Sequence, residues 1–184
     1  MPLFTSGREK RLWLYVLIVL FAILSTLAFG RPLQEALRDQ NIQAVFFLTG
    51  MLLTSVTVII SGLKVRPGKA EIATWMGIAA VYIMFNFRLG APERSHLIEY
   101  SVLADFIHIA LVERYGKGNR SLMVALLSFM ITFIIGVFDE SIQFFLPDRV
   151  FDPVDVLFNG VAAFMAVGSI LLLQWMRKKA RKEP

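Results

Sequence analysis

An acidic, amide-rich run, Asp139-Glu140-Ser141-Ile142-Gln143, continues through Asp148, Arg149, Asp152, Asp155 and Asn159 and lies between two strongly apolar segments. Ionisable groups beside hydrocarbon are expensive to keep, so they mark the first place to look for function. Glu140 and Gln143 are three residues apart and Asp155 and Asn159 four, so each pair shares one helix face. Upstream, His96, Glu99 and Tyr100 stand at i, i+3 and i+4 and share a face in the same way. Glu140, Asp155 and His96 are the residue types that exchange protons, and they are the candidate general acids or bases. Gln143, Asn159, Tyr100 and Glu99 are candidate binding groups, and Arg149 can hold a carboxylate or a phosphate through two parallel bonds.

A divalent cation is a second chemistry open to these residues, with His96, Glu99, Glu140 and Asp155 offering imidazole and carboxylate donors. The spacing does not define a metal. The chain has no cysteine, so neither thiolate chemistry nor a disulfide is available. It also has no H-E-x-x-H, G-x-S-x-G or P-loop motif. Some of the same residues also have plain structural readings. Asp152-Pro153-Val154-Asp155 reads as a helix start, with Asp152 as the cap and Pro153 at the first helical position. Asp139 and Asp148 are expected to be solvated beside the loop. Glu140 and Gln143 point back into the bundle if Phe144 and Phe145 pack around them. Asp105 lies half a turn away from His96 and is expected to pair with His108 inside the span.

The elements that must position these groups follow from composition. The chain is 57% hydrophobic, with sixteen Phe in 184 residues and a mean hydropathy of +0.64, more apolar than a water-soluble domain of this length can bury. Six segments approach the length that crosses a bilayer as helix: Leu12–Phe29, Ala44–Leu63, Ile72–Phe87, Leu97–Val112, Ser121–Phe138 and Val156–Met176. The third and fourth reach full length by extending into polar flanks, around Glu71 and over Pro92–His96. The first is longer than the apolar core of a secretory signal and is kept as a helix. Pro32–Arg38 has Leu33, Ala36 and Leu37 at helical spacing and is expected to be a short surface helix. Ala162 and Ala166 in the sixth segment allow close helix contact.

Positive charge sets the orientation, because Lys and Arg are retained on the cytoplasmic side. With the N-terminus inside, fourteen of the nineteen basic residues fall inside, and only Arg31, Arg38, Arg88, Arg94 and Arg149 fall outside. Of the acids, only Glu9, Glu71, Glu113 and Glu183 lie inside. The expectation is an all-α integral membrane protein with six transmembrane helices and both termini in the cytoplasm. A basic face beside anionic lipid accounts for the net charge of +5 without a nucleic-acid partner. The polar sets then meet at the outer leaflet, at the start of the fourth segment, the end of the fifth and the start of the sixth.

At these residues the chain resembles the VanZ-like family of small polytopic membrane proteins. A first motif is carried by His96, Glu99, Tyr100 and Leu103, and a more specific second one by Asp139-Glu140, Gln143, Pro147, Arg149, Asp155 and Asn159 followed by Gly160. Together they cover about residues 93–167 of what reads as a single domain, 1–184. Ala104, where the family commonly has Gly, and Asp105 beside it depart from the pattern. The resemblance implies a multi-pass protein of the bacterial cytoplasmic membrane whose polar residues form an outward-facing site, with a link to glycopeptide tolerance and no assigned reaction. A lipid-linked envelope precursor fits such a site as partner, alongside the membrane lipids, because its tail can stay in the bilayer while its head enters the cleft. Three classes stay open: an enzyme, a non-enzymatic binding or scaffolding protein, and a small proton-coupled carrier using Asp105 and His108. The inverted halves expected of a carrier are not apparent in the sequence.

Overall fold

The computed structural model describes residues 4–36, 68–88, 91–116, 121–146 and 151–180, and these residues form five helices. They are α1 (Gly7–Ala36), α2 (Lys69–Arg88), α3 (Ala91–Tyr115), α4 (Ser121–Gln143) and α5 (Pro153–Ala180). Three helices are long and apolar enough to cross a membrane: Ser95–Tyr115 in α3, Ser121–Gln143 and Pro153–Lys179. The expected second span, Ala44–Leu63, lies outside the described residues. The expected surface helix does not form as a separate element. Through Ala36 its residues continue α1 without a break, although a proline inside a helix removes one backbone hydrogen bond.

Local chemistry explains where the helices start and stop. Ser6 caps α1, its Oγ accepting the Glu9 amide at 3.0 Å. Asp152 caps α5 as expected, its Oδ1 accepting the Val154 amide at 2.8 Å with Pro153 at the first helical position. After Tyr115 the chain turns at Gly116, whose φ of 80° is open to glycine at no steric cost. The Gly116 amide bonds back to the Val112 carbonyl at 2.9 Å.

The central helix is α3, which packs against α1, α4 and α5, while α2 rests on α5. Leu97, Tyr100, Leu103, Ile107 and Leu111 of α3 form the core with Val16 and Ile23 of α1, Val124 of α4 and Ala162 of α5. A second cluster, Ala104, Ala125, Ala163, Ala166 and Val167, consists mostly of side chains small enough to bring backbones close. Ala166 and Ala162 are thus packing residues, as their spacing implied, and Ala104, which departs from the family pattern, is fully buried in the second cluster.

In α4 the usual amphipathic pattern is inverted. Its buried stripe is Val124, Ala125, Ser128, Thr132, Gly136, Asp139, Glu140 and Gln143. Leu122, Leu126, Met130, Ile134, Phe138 and Ile142 face outward. Small and polar residues inside with large apolar ones outside suit a helix whose surroundings are lipid.

From α2 onward successive helices run in alternate directions, and α1 runs the same way as α2, which sorts the charges by end. At one end the start of α1 meets the finish of α3, through Ser6 Oγ donating to Glu113 at 3.0 Å and Arg114 facing Glu9 at 3.3 Å. The start of α2 meets the finish of α5 there as well, Arg177 Nε donating to Glu71 at 2.7 Å. The start of α3, the end of α4 and the start of α5 meet at the opposite end.

Candidate functional site

Each of these three helices brings one of the polar sets to that opposite end. From α3, Tyr100 is fully buried and His96 half-buried. Their rings stack with centroids 6.1 Å apart and 23° between planes. From α4 come Asp139, Glu140 and Gln143, all buried, and from α5 the buried Asn159 and the half-buried Asp155.

The close approach depends on Gly136. A Cβ there would lie 2.9 Å from the Asn159 Cβ and 3.2 Å from Cε1 of Tyr100, so only hydrogen fits between α4, α5 and the tyrosine ring. The hydrogen bonds then run between helices as well as within them. Tyr100 donates its hydroxyl to Asp139 Oδ2 at 2.9 Å, tying α3 to α4. Gln143 Nε2 donates to Glu140 Oε1 at 3.1 Å along one face of α4. His96 Nε2 lies 3.7 Å from Asp155 Oδ2, at ion-pair range between α3 and α5.

Ligating atoms of His96, Asp139 and Glu140 all lie within 4.8 Å of one another. The buried atoms Glu140 Oε2, His96 Nδ1 and both amide atoms of Asn159 have no hydrogen-bond partner among the described residues. Buried polar atoms are nearly always satisfied, so this concentration in one place is unusual. Glu99 is half-buried on the same helix and lies within electrostatic range of Asp139, but it is not one of the three converging groups. Arg149 and Asp148 lie outside the described residues.

Several sequence expectations are corrected. Asp139 is not solvated. It is only 3% exposed, because helical phase places it one turn from both Gly136 and Gln143 on the buried stripe. That phase was the signal available in the sequence, and nearness to the loop outweighed it. Phe144 and Phe145 do not enclose Glu140. They are 69% and 82% exposed and pack edge-on against each other, with ring centroids 5.5 Å apart. Phe145 follows the exposed Phe138 by seven residues and Ile142 by three, on the outward face of α4, and the last turn tightens there, the Phe145 and Leu146 amides bonding to Ile142 and Gln143.

His108 does not take Asp105 as its partner. Its Nδ1 lies 3.2 Å from Ser128 Oγ across the interface with α4. The spacing places Asp105 on the same face, but the other ring nitrogen, Nε2, has no hydrogen-bond partner among the described residues. A cavity of about 490 Å³ between α2 and α5, lined by Ile78, Val81, Tyr82, Met165 and Leu172 among others, is apolar and contains none of the cluster residues.

A family model described as VanZ/LLP1 matches residues 12–174 of the chain. No curated protein and no solved structure matches it.

Proposed function

Because the chain belongs to the VanZ/LLP1 family, we propose that this membrane protein receives an envelope component at its acidic end. In this reading the chain spans the bacterial cytoplasmic membrane six times with both termini inside. The cluster opens at the outer leaflet, and the ligand is an amphiphile whose phosphate-bearing head enters while its tail stays in hydrocarbon. Glycopeptide tolerance is the physiological readout expected from the family.

The observation that carries this reading is the set of buried, unsatisfied atoms on Glu140, His96 and Asn159 at the meeting point of three helices. A network kept only to hold helices together would use its donors and acceptors on itself, since each buried group left unbonded costs about 1–3 kcal/mol. A ligand that enters the cluster recovers that cost. Glu140 has one oxygen fixed by Gln143 and one open, so it is the group best placed to accept a proton from a bound hydroxyl or water if chemistry follows binding. The orientation is supported by the opposite end of the described bundle, which carries Arg8, Lys10, Arg11, Lys69, Arg114, Arg177, Lys178 and Lys179.

Glu140→Gln tests the function, because it keeps volume and hydrogen-bonding reach while removing the ionisable group. Expressed at parental level and melting like the parent, the variant should lose the glycopeptide tolerance the parent confers. Full retention would leave a structural scaffold as the better account. Reporter fusions test the orientation. Those after Lys69 and Arg177 should read cytoplasmic and one after Asp148 external, and an external C-terminus would overturn the model.

A further inference from the structure

Among the described residues the cluster sets three carboxylates, Asp139, Glu140 and Asp155, against one imidazole. A phosphate would meet net negative charge there. We propose that His96, Asp139 and Glu140 form a binding site for a divalent first-row metal ion of the zinc or manganese class, and that this ion supplies the positive charge the cluster lacks.

Besides converging within 4.8 Å, each of the three side chains is held by a second residue that leaves it aimed inward. Tyr100 donates to Oδ2 of Asp139 at 2.9 Å. Gln143 donates to Oε1 of Glu140 at 3.1 Å, and Oε2 of this fully buried residue accepts no hydrogen bond among the described residues. Asp155 lies 3.7 Å from Nε2 of His96, which leaves Nδ1 as the ring nitrogen open to a ligand; that atom is buried and has no hydrogen-bond partner. Metal-binding histidines and carboxylates are characteristically oriented through their other nitrogen or oxygen by such partners.

One imidazole and two carboxylates suit zinc, manganese or ferrous iron better than calcium or magnesium, which favour all-oxygen shells. Three protein ligands leave at least one coordination position for water or for a phosphate oxygen. That bridging role rests on the function proposed above, whereas the metal site does not.

The test is zinc titration of the purified, detergent-solubilised full chain after removal of any histidine tag and dialysis against chelator. The chain contains two histidines and no cysteine, so adventitious zinc ligands are scarce. One equivalent should bind, and Glu140→Gln and His96→Gln should each abolish stoichiometric binding. Tyr100→Phe removes only a supporting bond and should weaken binding by about 10–100-fold. Should Glu140→Gln fail to fold, His96→Gln, at the half-buried edge of the cluster, decides the matter. Absence of binding to the folded parent, or stoichiometric binding that survives His96→Gln, would overturn the proposal. Loss of tolerance in Glu140→Gln together with no zinc binding by the parent would overturn the metal site and leave the functional reading standing.

Discussion

At the basic end of the bundle the buried Glu9 accepts two hydrogen bonds from Thr5, at 2.6 and 2.7 Å, and faces Arg114 at 3.3 Å. At the opposite end the equally buried Glu140 receives a hydrogen bond from Gln143. One oxygen of each carboxylate accepts no hydrogen bond among the described residues, but that of Glu9 faces the Arg114 guanidinium, whereas Glu140 has the carboxylates Asp155 and Asp139 near it. The amino acid and the burial are the same, but the provision of partners differs. Where a buried carboxylate faces a cation of its own chain, as Glu9 faces Arg114, it serves the architecture. Where carboxylates outnumber cations among the described residues, as around Glu140, the arrangement is unfavourable unless a proton or a bound group relieves it. The two ends of one helix bundle thus differ in whether a buried carboxylate faces a cation or other carboxylates.

The sharpest way to break this comparison is to neutralise each carboxylate in turn. Glu140→Gln should abolish function while leaving the melting temperature at or above the parental value, since it removes a charge the protein does not compensate. Glu9→Gln should do the reverse, lowering the melting temperature and sparing function in the protein that remains folded. Equal effects of the two on stability, measured side by side, would dissolve the distinction.

Steric change at the acidic end is next in size. Gly136→Val should cost about 1–3 kcal/mol by overpacking and should displace Tyr100 and Asn159, so that zinc binding falls with stability. Gly77→Ala, with nothing within 4 Å of the added carbon, should leave both unchanged. A stable, zinc-competent Gly136→Val would show that the three helices do not need their close approach.

A smaller effect is expected between the two ends. Ser128→Ala removes the partner of His108 Nδ1 and should cost about 1 kcal/mol with zinc binding intact, because this contact belongs to neither end. Loss of zinc binding in that variant would instead couple mid-helix packing to the cluster.

The gentlest test is acid. The Thr5 amide above all, helped by the Thr5 hydroxyl and Arg114, holds the Glu9 carboxyl below its usual 4.5 against the opposing effect of burial. A depressed folded-state value means that its contribution to stability is complete above about 4.5 and drains away as pH falls toward the lowered value. The parent should therefore lose melting temperature over that acid range more steeply than Glu9→Gln. Parallel pH profiles would show that Glu9 is not the paired group described here.

Much of this arrangement was legible in the sequence, because it depends on local rules. The Asp152 cap, the inward faces of Glu140 and Gln143, and the small residues of α5 follow from spacing and capping alone. Asp139 was misassigned because a charge next to a loop was read by its distance from water, whereas the helical stripe through Thr132, Gly136 and Gln143 determines its direction. Phe144 and Phe145 were read by their nearness to Glu140 and Gln143, whereas helical phase puts Phe145 on the outward face of Phe138 and Ile142. The His108–Ser128 contact joins residues on different helices, and no spacing rule within one helix reaches it.

One further consequence comes from the length of α3. From His96 to Glu113 an ideal helix rises about 26 Å, at about 1.5 Å per residue, a little short of the roughly 30 Å hydrocarbon core of a typical bilayer. A helix pinned by polar groups at both ends and slightly shorter than its surroundings creates hydrophobic mismatch, which is relieved by thinning the lipid around it. The mouth of the acidic cluster would then lie at the floor of a shallow dimple in the leaflet. An amphiphile diffusing laterally would reach it by lowering its head a few ångströms, without leaving the membrane.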